Sequence, residues 1–136
     1  MKSATREDQD PPGRVLVVED DADTRCMLVA AIADEGYVAI PALDGRHALR
    51  TALAVEPSAI VLDLMLPGVD GEEFVRAYRR QSNADAPIVV VSARPDAEAV
   101  GKDLGARAVL PKPLDISEFI ARLKETMRAT RGASAA

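Results

Sequence analysis

The sequence predicts an α/β fold: a doubly wound (βα)5 sandwich of three layers, with helices on both faces of a central five-stranded parallel sheet. Short runs rich in Val and Ile alternate with longer segments of helical period, the mark of βα units. Those runs are almost wholly apolar, as strands covered on both faces must be. The length of 136 residues, at about 100–200 residues per domain, leaves room for one such domain and no second.

The predicted strands are Val15–Val18, Tyr37–Ile40, Ala59–Leu62, Ile88–Val91 and Ala108–Leu110. Between the first two, Leu28, Ala31 and Ile32 share a helical face, and Gly36 is placed to end that helix in the left-handed conformation. Helical patterns follow at Ala48, Leu49 and Ala52, at Phe74, Val75 and Tyr78, and at Ala97, Val100 and Leu104. The fourth is the weakest, because Gly101 inside it costs about 1 kcal/mol relative to Ala. The last helix carries Ile116, Phe119, Ile120, Leu123 and Met127 at three- and four-residue steps, with Asp115 as N-cap.

Residues 1–13 have no large apolar side chain after Met1 and end in Pro-Pro-Gly, so they are expected to be a disordered lead-in. The domain is expected to span 14–128, and the small and polar residues 129–136 to form a flexible tail. Hydrophobic residues make up 48% and charged residues 29%, enough for a real core. A net charge of −5 argues against direct nucleic-acid binding. One cysteine and one histidine cannot form a disulfide or a zinc site. With no apolar run near the roughly 18 residues of a spanning helix and no secretory h-region, a cytoplasmic location without membrane insertion is expected.

In an open parallel sheet the ligand crevice lies at the carboxyl ends of the strands, beside the point where strand order reverses. The chain places Glu19-Asp20-Asp21 after the first strand, Asp63 after the third, Ser92 after the fourth and Lys112 shortly after the fifth. Taken singly, each is an ordinary loop residue. Together, carboxylates converging on one sheet edge repel unless a cation sits between them, and oxygen-only ligands suit Mg²⁺. Lys112 lies between Pro111 and Pro113, which restrict the backbone around a fixed ammonium. Ser92 beside a metal and an ammonium becomes a candidate donor to a phosphoryl oxygen.

Four segments, VLVVEDD (15–21), IVLDLMLPGVDG (60–71), PIVVVSAR (87–94) and GARAVLPKP (105–113), resemble in order and spacing the receiver domains of two-component response regulators. The resemblance implies the flavodoxin-like, CheY-like strand order 2-1-3-4-5. It implies Asp63 as phosphoacceptor, Asp20 as a direct Mg²⁺ ligand, Glu19 as the second acid acting through water, and the Met65 backbone carbonyl as a further ligand, with Mn²⁺ able to replace Mg²⁺. Ser92 matches the family's switch hydroxyl, Lys112 its active-site lysine, and Lys112-Pro113 a peptide bond usually cis there.

The implied function is a single-domain phosphorylation switch, not an enzyme beyond self-catalysed phosphotransfer and autodephosphorylation. It would accept a phosphoryl group from a sensor histidine kinase or histidine phosphotransfer protein and signal to a downstream protein effector, as a monomer or weak homodimer. Asp63 attacks the phosphorus of a phosphohistidine while Mg²⁺ and Lys112 neutralise the equatorial oxygens. Met65 and Arg94 flank the site, and Arg94 is placed to cover the phosphoryl group.

The chain departs from the family pattern at three points. Val109 stands where a switch aromatic is usual, three residues before the lysine. The stretch from Ser92 to Lys112 is about two residues shorter than the commonest spacing, which implies an abbreviated fourth helix. Leu114 replaces a frequent Phe. Val109 motivates a competing reading, a pseudo-receiver that binds a partner without phosphorylation. An aspartyl-phosphate phosphohydrolase would need an acid where Met65 stands, and no nucleotide-binding Gly-rich loop is present. His47 is expected to be a surface residue away from the acids, and Cys26 a partly covered helix residue without redox function.

Overall fold

A computed structural model of the protein describes residues 12–66, 68 and 70–135. The expected lead-in therefore lies outside the described residues, apart from Pro12 and Gly13. Five strands alternate with five helices: β1 (Arg14–Val18), α1 (Ala22–Asp34), β2 (Val38–Ala42), α2 (Gly45–Val55), β3 (Ala59–Asp63), α3 (Gly71–Gln81), β4 (Ile88–Ser92), α4 (Ala97–Asp103), β5 (Ala108–Pro111) and α5 (Ile116–Ala135). The backbone of α5 continues helically to Ala135, past the boundary near Arg128 read from the sequence. All pairings are parallel and the strand order is β2-β1-β3-β4-β5. Among the described residues no helix is long and apolar enough to cross a membrane.

Successive strand side chains point to opposite faces, so each central strand feeds two cores. Leu16, Val18, Ile60, Leu62, Ile88 and Val90 turn to one face, where Ala48, Ala52, Phe74, Val75 and Tyr78 of α2 and α3 cover them. Val15, Val17, Val61, Val89 and Val91 turn to the other, beneath Leu28 and Ile32 of α1 and Phe119, Leu123 and Met127 of α5. Strands β1, β3 and β4 are buried on both faces from Val15 onward, whereas the edge strands β2 and β5 are only partly covered. The Tyr78 hydroxyl accepts from the Ala86 N–H at 3.0 Å, which satisfies its one polar atom inside the core.

Strand β2 begins one residue later than the sequence suggests and continues through Pro41 to Ala42. Proline lacks an N–H but is tolerated on an edge strand, where β2 pairs with β1 alone. Aspartates cap four helices: Asp21, Asp44, Asp70 and Asp115 accept the N–H groups of Thr24, His47, Glu73 and Glu118 at 2.8–3.1 Å. Gly36 closes α1 at φ 90°, as expected. Cys26 is exposed rather than partly covered. It lies two positions, about 200° of helical turn, from buried Leu28.

Helix α4 has seven residues. Gly101 within it faces β5, and a methyl group there would overlap Val109 Cγ2. The valine methyl thus occupies the space that a side chain on α4 would need.

Candidate functional site

Strand register brings the dispersed polar residues together. Val18 is aligned with Leu62, so the next residues, Glu19 and Asp63, emerge side by side at the carboxyl edge of adjacent central strands. Ser92 is aligned with Pro111, which carries Lys112 past the end of β4 toward the same edge. The Lys112 N–H donates to the Ser92 carbonyl at 3.1 Å, and the Lys112-Pro113 bond is cis.

Lys112 Nζ donates to Glu19 Oε1 at 2.8 Å and to Asp63 Oδ2 at 3.1 Å. Glu19 is fully buried and Asp63 is 5% exposed. Glu19 Oε2 accepts the Asp21 N–H at 3.1 Å, and Asp63 Oδ1 accepts the Met65 N–H at 3.0 Å. Burial raises the Glu19 carboxyl above the usual glutamate range despite the opposing pull of Lys112. Burial acts to lower Lys112, but its hydrogen bonds to Glu19 and Asp63 prevail, so its affinity for a proton is raised and its charge secured.

Oxygens of Glu19, Asp20 and Asp63 lie within 4.8 Å of one another. Lys112 bonds only two of the three carboxylates, Glu19 and Asp63, so the cluster keeps an excess of negative charge, and the donor set is oxygen only. Such a set fits a hard divalent cation of the Mg²⁺ type. Asp20 is exposed and open to an incoming ion. Arg25 steadies the loop by donating from Nη1 to the Glu19 and Asp20 carbonyls at 3.0 and 3.1 Å. Asp21 is diverted to capping α1, and hydrogen bonds from the Thr24 side chain and backbone lower its carboxyl.

Ser92 is buried at the end of β4, and its Oγ accepts the Arg94 N–H at 3.1 Å. Arg94 does not lie open as a cover for the site. It donates to both Asp96 oxygens at 2.9 and 2.8 Å and to Glu72 Oε1 at 2.9 Å. This triad ties the β4–α4 loop to α3, and it explains why Asp96, at the start of α4, makes no capping bond. Sequence spacing gave no hint of it, because Glu72 and Arg94 meet only across the folded sheet edge. Asp20, Leu64, Met65, Leu66, Asp70 and Arg94 line an open depression of about 560 Å³ beside the acids. Met65 is 59% exposed there. His47 is half-buried on α2 and is not part of the acid cluster.

The profile described as the response regulator receiver domain matches residues 15–124. The transcriptional regulatory protein PrrA of Mycobacterium leprae is 42% identical over 124 residues, covering 90% of this chain and 52% of PrrA. The response regulator MprA of Mycolicibacterium vanbaalenii is 40% identical over 121 residues, covering 88% of this chain and 52% of its own. The chain thus spans about half the length of the curated relatives it matches. Among solved structures, the chemotaxis protein CheY4 of Vibrio cholerae aligns with a TM-score of 0.78 at 32% identity, covering 85% of this chain and 99% of CheY4.

Proposed function

The chain belongs to the response regulator receiver family, and from that premise we propose that Asp63 accepts a phosphoryl group from the phosphohistidine of a sensor histidine kinase or a histidine phosphotransfer protein. One observation carries this reading: Asp63 is nearly buried, yet one of its oxygens is held by Lys112 and its carboxylate adjoins two further acids. That setting keeps a nucleophilic carboxylate fixed and charge-compensated beside an open depression.

A carboxylate oxygen of Asp63 attacks phosphorus as the P–N bond to the donor histidine breaks, leaving an acyl phosphate on Asp63. The Lys112 ammonium follows the developing charge on the phosphoryl oxygens, and the Met65 N–H holds the other carboxylate oxygen in place. Asp20, Asp63 and the Met65 carbonyl would hold Mg²⁺ directly. Glu19, whose two oxygens already accept hydrogen bonds, would act through water. Bound Mg²⁺ supplies charge neutralisation at the transferring oxygens. The added phosphoryl charge then draws the Ser92 hydroxyl away from the Arg94 N–H, shifting the β4–α4 loop and α4 toward an arrangement read by a protein partner. The expectation of no direct nucleic-acid contact is kept for this domain alone. PrrA is named a transcriptional regulator, and its match covers only about half of it.

The test is intact-mass analysis after incubation with a small phosphodonor, with Mg²⁺ or with chelator. One phosphoryl group is expected with Mg²⁺ only, and none on Asp63→Asn. A pseudo-receiver, the reading Val109 invites, would stay unlabelled under both conditions.

A further inference from the structure

The groove between α2 and α3 encloses about 380 Å³ on the helical face away from α1 and α5, and it contains none of the site residues. Arg46 and Leu49 line it from α2, and Phe74, Arg76, Ala77 and Arg80 from α3. Arg76 and Arg80 stand one turn apart on α3 and share the groove with Arg46 of α2, so three guanidiniums line it. All three arginines are exposed, and none makes an ion pair with any described residue. By contrast Arg79, Arg94, Lys112, Arg122 and Lys124 are each held by a carboxylate. Glu73 is the one acid lining the groove. Three unpaired guanidiniums around one groove make it locally positive on a chain of net charge −5, which favours an acidic partner there.

We propose that the α2–α3 groove is a docking surface for an acidic amphipathic helix of another protein. Half-buried Leu49 and Ala77 form an apolar floor between Arg46 and the Arg76–Arg80 pair, suited to the apolar stripe of such a helix. Guanidiniums pair with carboxylates through two parallel hydrogen bonds, which suits two glutamates one turn apart on one side of that stripe and one glutamate on the other. From position 73 to position 80 the α3 wall spans about 10 Å, two helical turns. That is too short a basic track for a nucleic-acid backbone, and the remaining acidic surface would repel one. The surface is independent of phosphotransfer at Asp63.

The test uses the full chain, isotope-labelled, at low salt. It is titrated with a synthetic two-heptad helix bearing a leucine stripe flanked by glutamates, and with the same helix bearing lysines. Amide shifts are expected at residues 45–50 and 73–80 with the glutamate helix only. The double variant Arg76→Glu/Arg80→Glu should weaken that helix about tenfold and gain binding of the lysine helix. Arg46→Gln and Arg76→Gln, which remove charge without reversing it, should give smaller losses with an unchanged spectrum elsewhere. No shift in the groove, equal binding of both helices, or preference for a heparin fragment or anionic vesicles would overturn the proposal.

Discussion

Lys112→Met is expected to lower stability at neutral pH by about 3 kcal/mol, the lower end of the cost of breaking a buried ion pair. The wild-type ammonium lies 2.8 Å from Glu19 and 3.1 Å from Asp63. At an effective dielectric of about 20 these separations correspond to gross attractions of roughly 6 and 5 kcal/mol, most of which offsets desolvation of the charges. The lower end applies because the Lys112 side chain keeps 22% of its surface in water. Removing it leaves fully buried Glu19 facing Asp63 with no cation between them. Glu19 is already raised from 4.5, first by burial, and loses the Lys112 contacts that oppose that rise. A raised acid contributes stability below its unfolded value and loses that contribution as pH climbs through its folded value. The variant, with Glu19 raised further, should therefore gain on the wild type as pH falls toward 4.5. Urea unfolding in chelator at neutral pH and near pH 4 measures both effects. A neutral-pH difference below about 1 kcal/mol, within the range of exposed pairs, or one that does not shrink in acid, would refute the reasoning.

Asp20→Asn should reduce Mg²⁺ affinity by about tenfold or more by calorimetry, while stability in chelator changes by no more than about 0.5 kcal/mol, because this carboxylate is exposed. Gly101→Ala should destabilise by about 1–3 kcal/mol through overlap with Val109 Cγ2, despite the better helix propensity of Ala. Combining it with Val109→Ala should recover part of the loss in urea unfolding. Met65→Asn should shorten the lifetime of the phosphorylated form severalfold, followed by intact mass after the donor is removed, because an amide can position the attacking water where a thioether cannot.

Helix α4 is tied to the sheet edge by its local packing. Its seven residues are short, its first residue follows an aspartate already committed to Arg94, and its glycine is wedged against β5. It is held by the Glu72–Arg94–Asp96 triad at its start, by the Val109 methyl against Gly101, and by packing of Ala97, Val100 and Leu104 into the core. Motion of the Ser92 hydroxyl reaches the first directly, since Ser92 Oγ accepts the Arg94 N–H.

The apolar strand runs and helical periods determine the order of elements and the two-sided burial, because side-chain alternation and helical repeat are local properties of the chain. Gly36 and Asp115 declare their helix ends for the same reason. The identities of Glu19, Asp20, Asp63, Ser92 and Lys112 were legible from their places after strands and from the family motifs they form. Strand β2 was found but drawn two residues short, ending at Ile40, because Pro41 lacks an N–H and only the edge position of the strand makes it tolerable there. Tertiary structure alone decided that Glu19 lies fully buried beneath Lys112, that Arg94 is bound to Glu72 and Asp96 instead of covering the site, that Val109 fills the space beside Gly101, and that Arg46, Arg76 and Arg80 line one groove. Each depends on which strands and helices lie side by side, a long-range arrangement fixed by sheet register and by packing across the core.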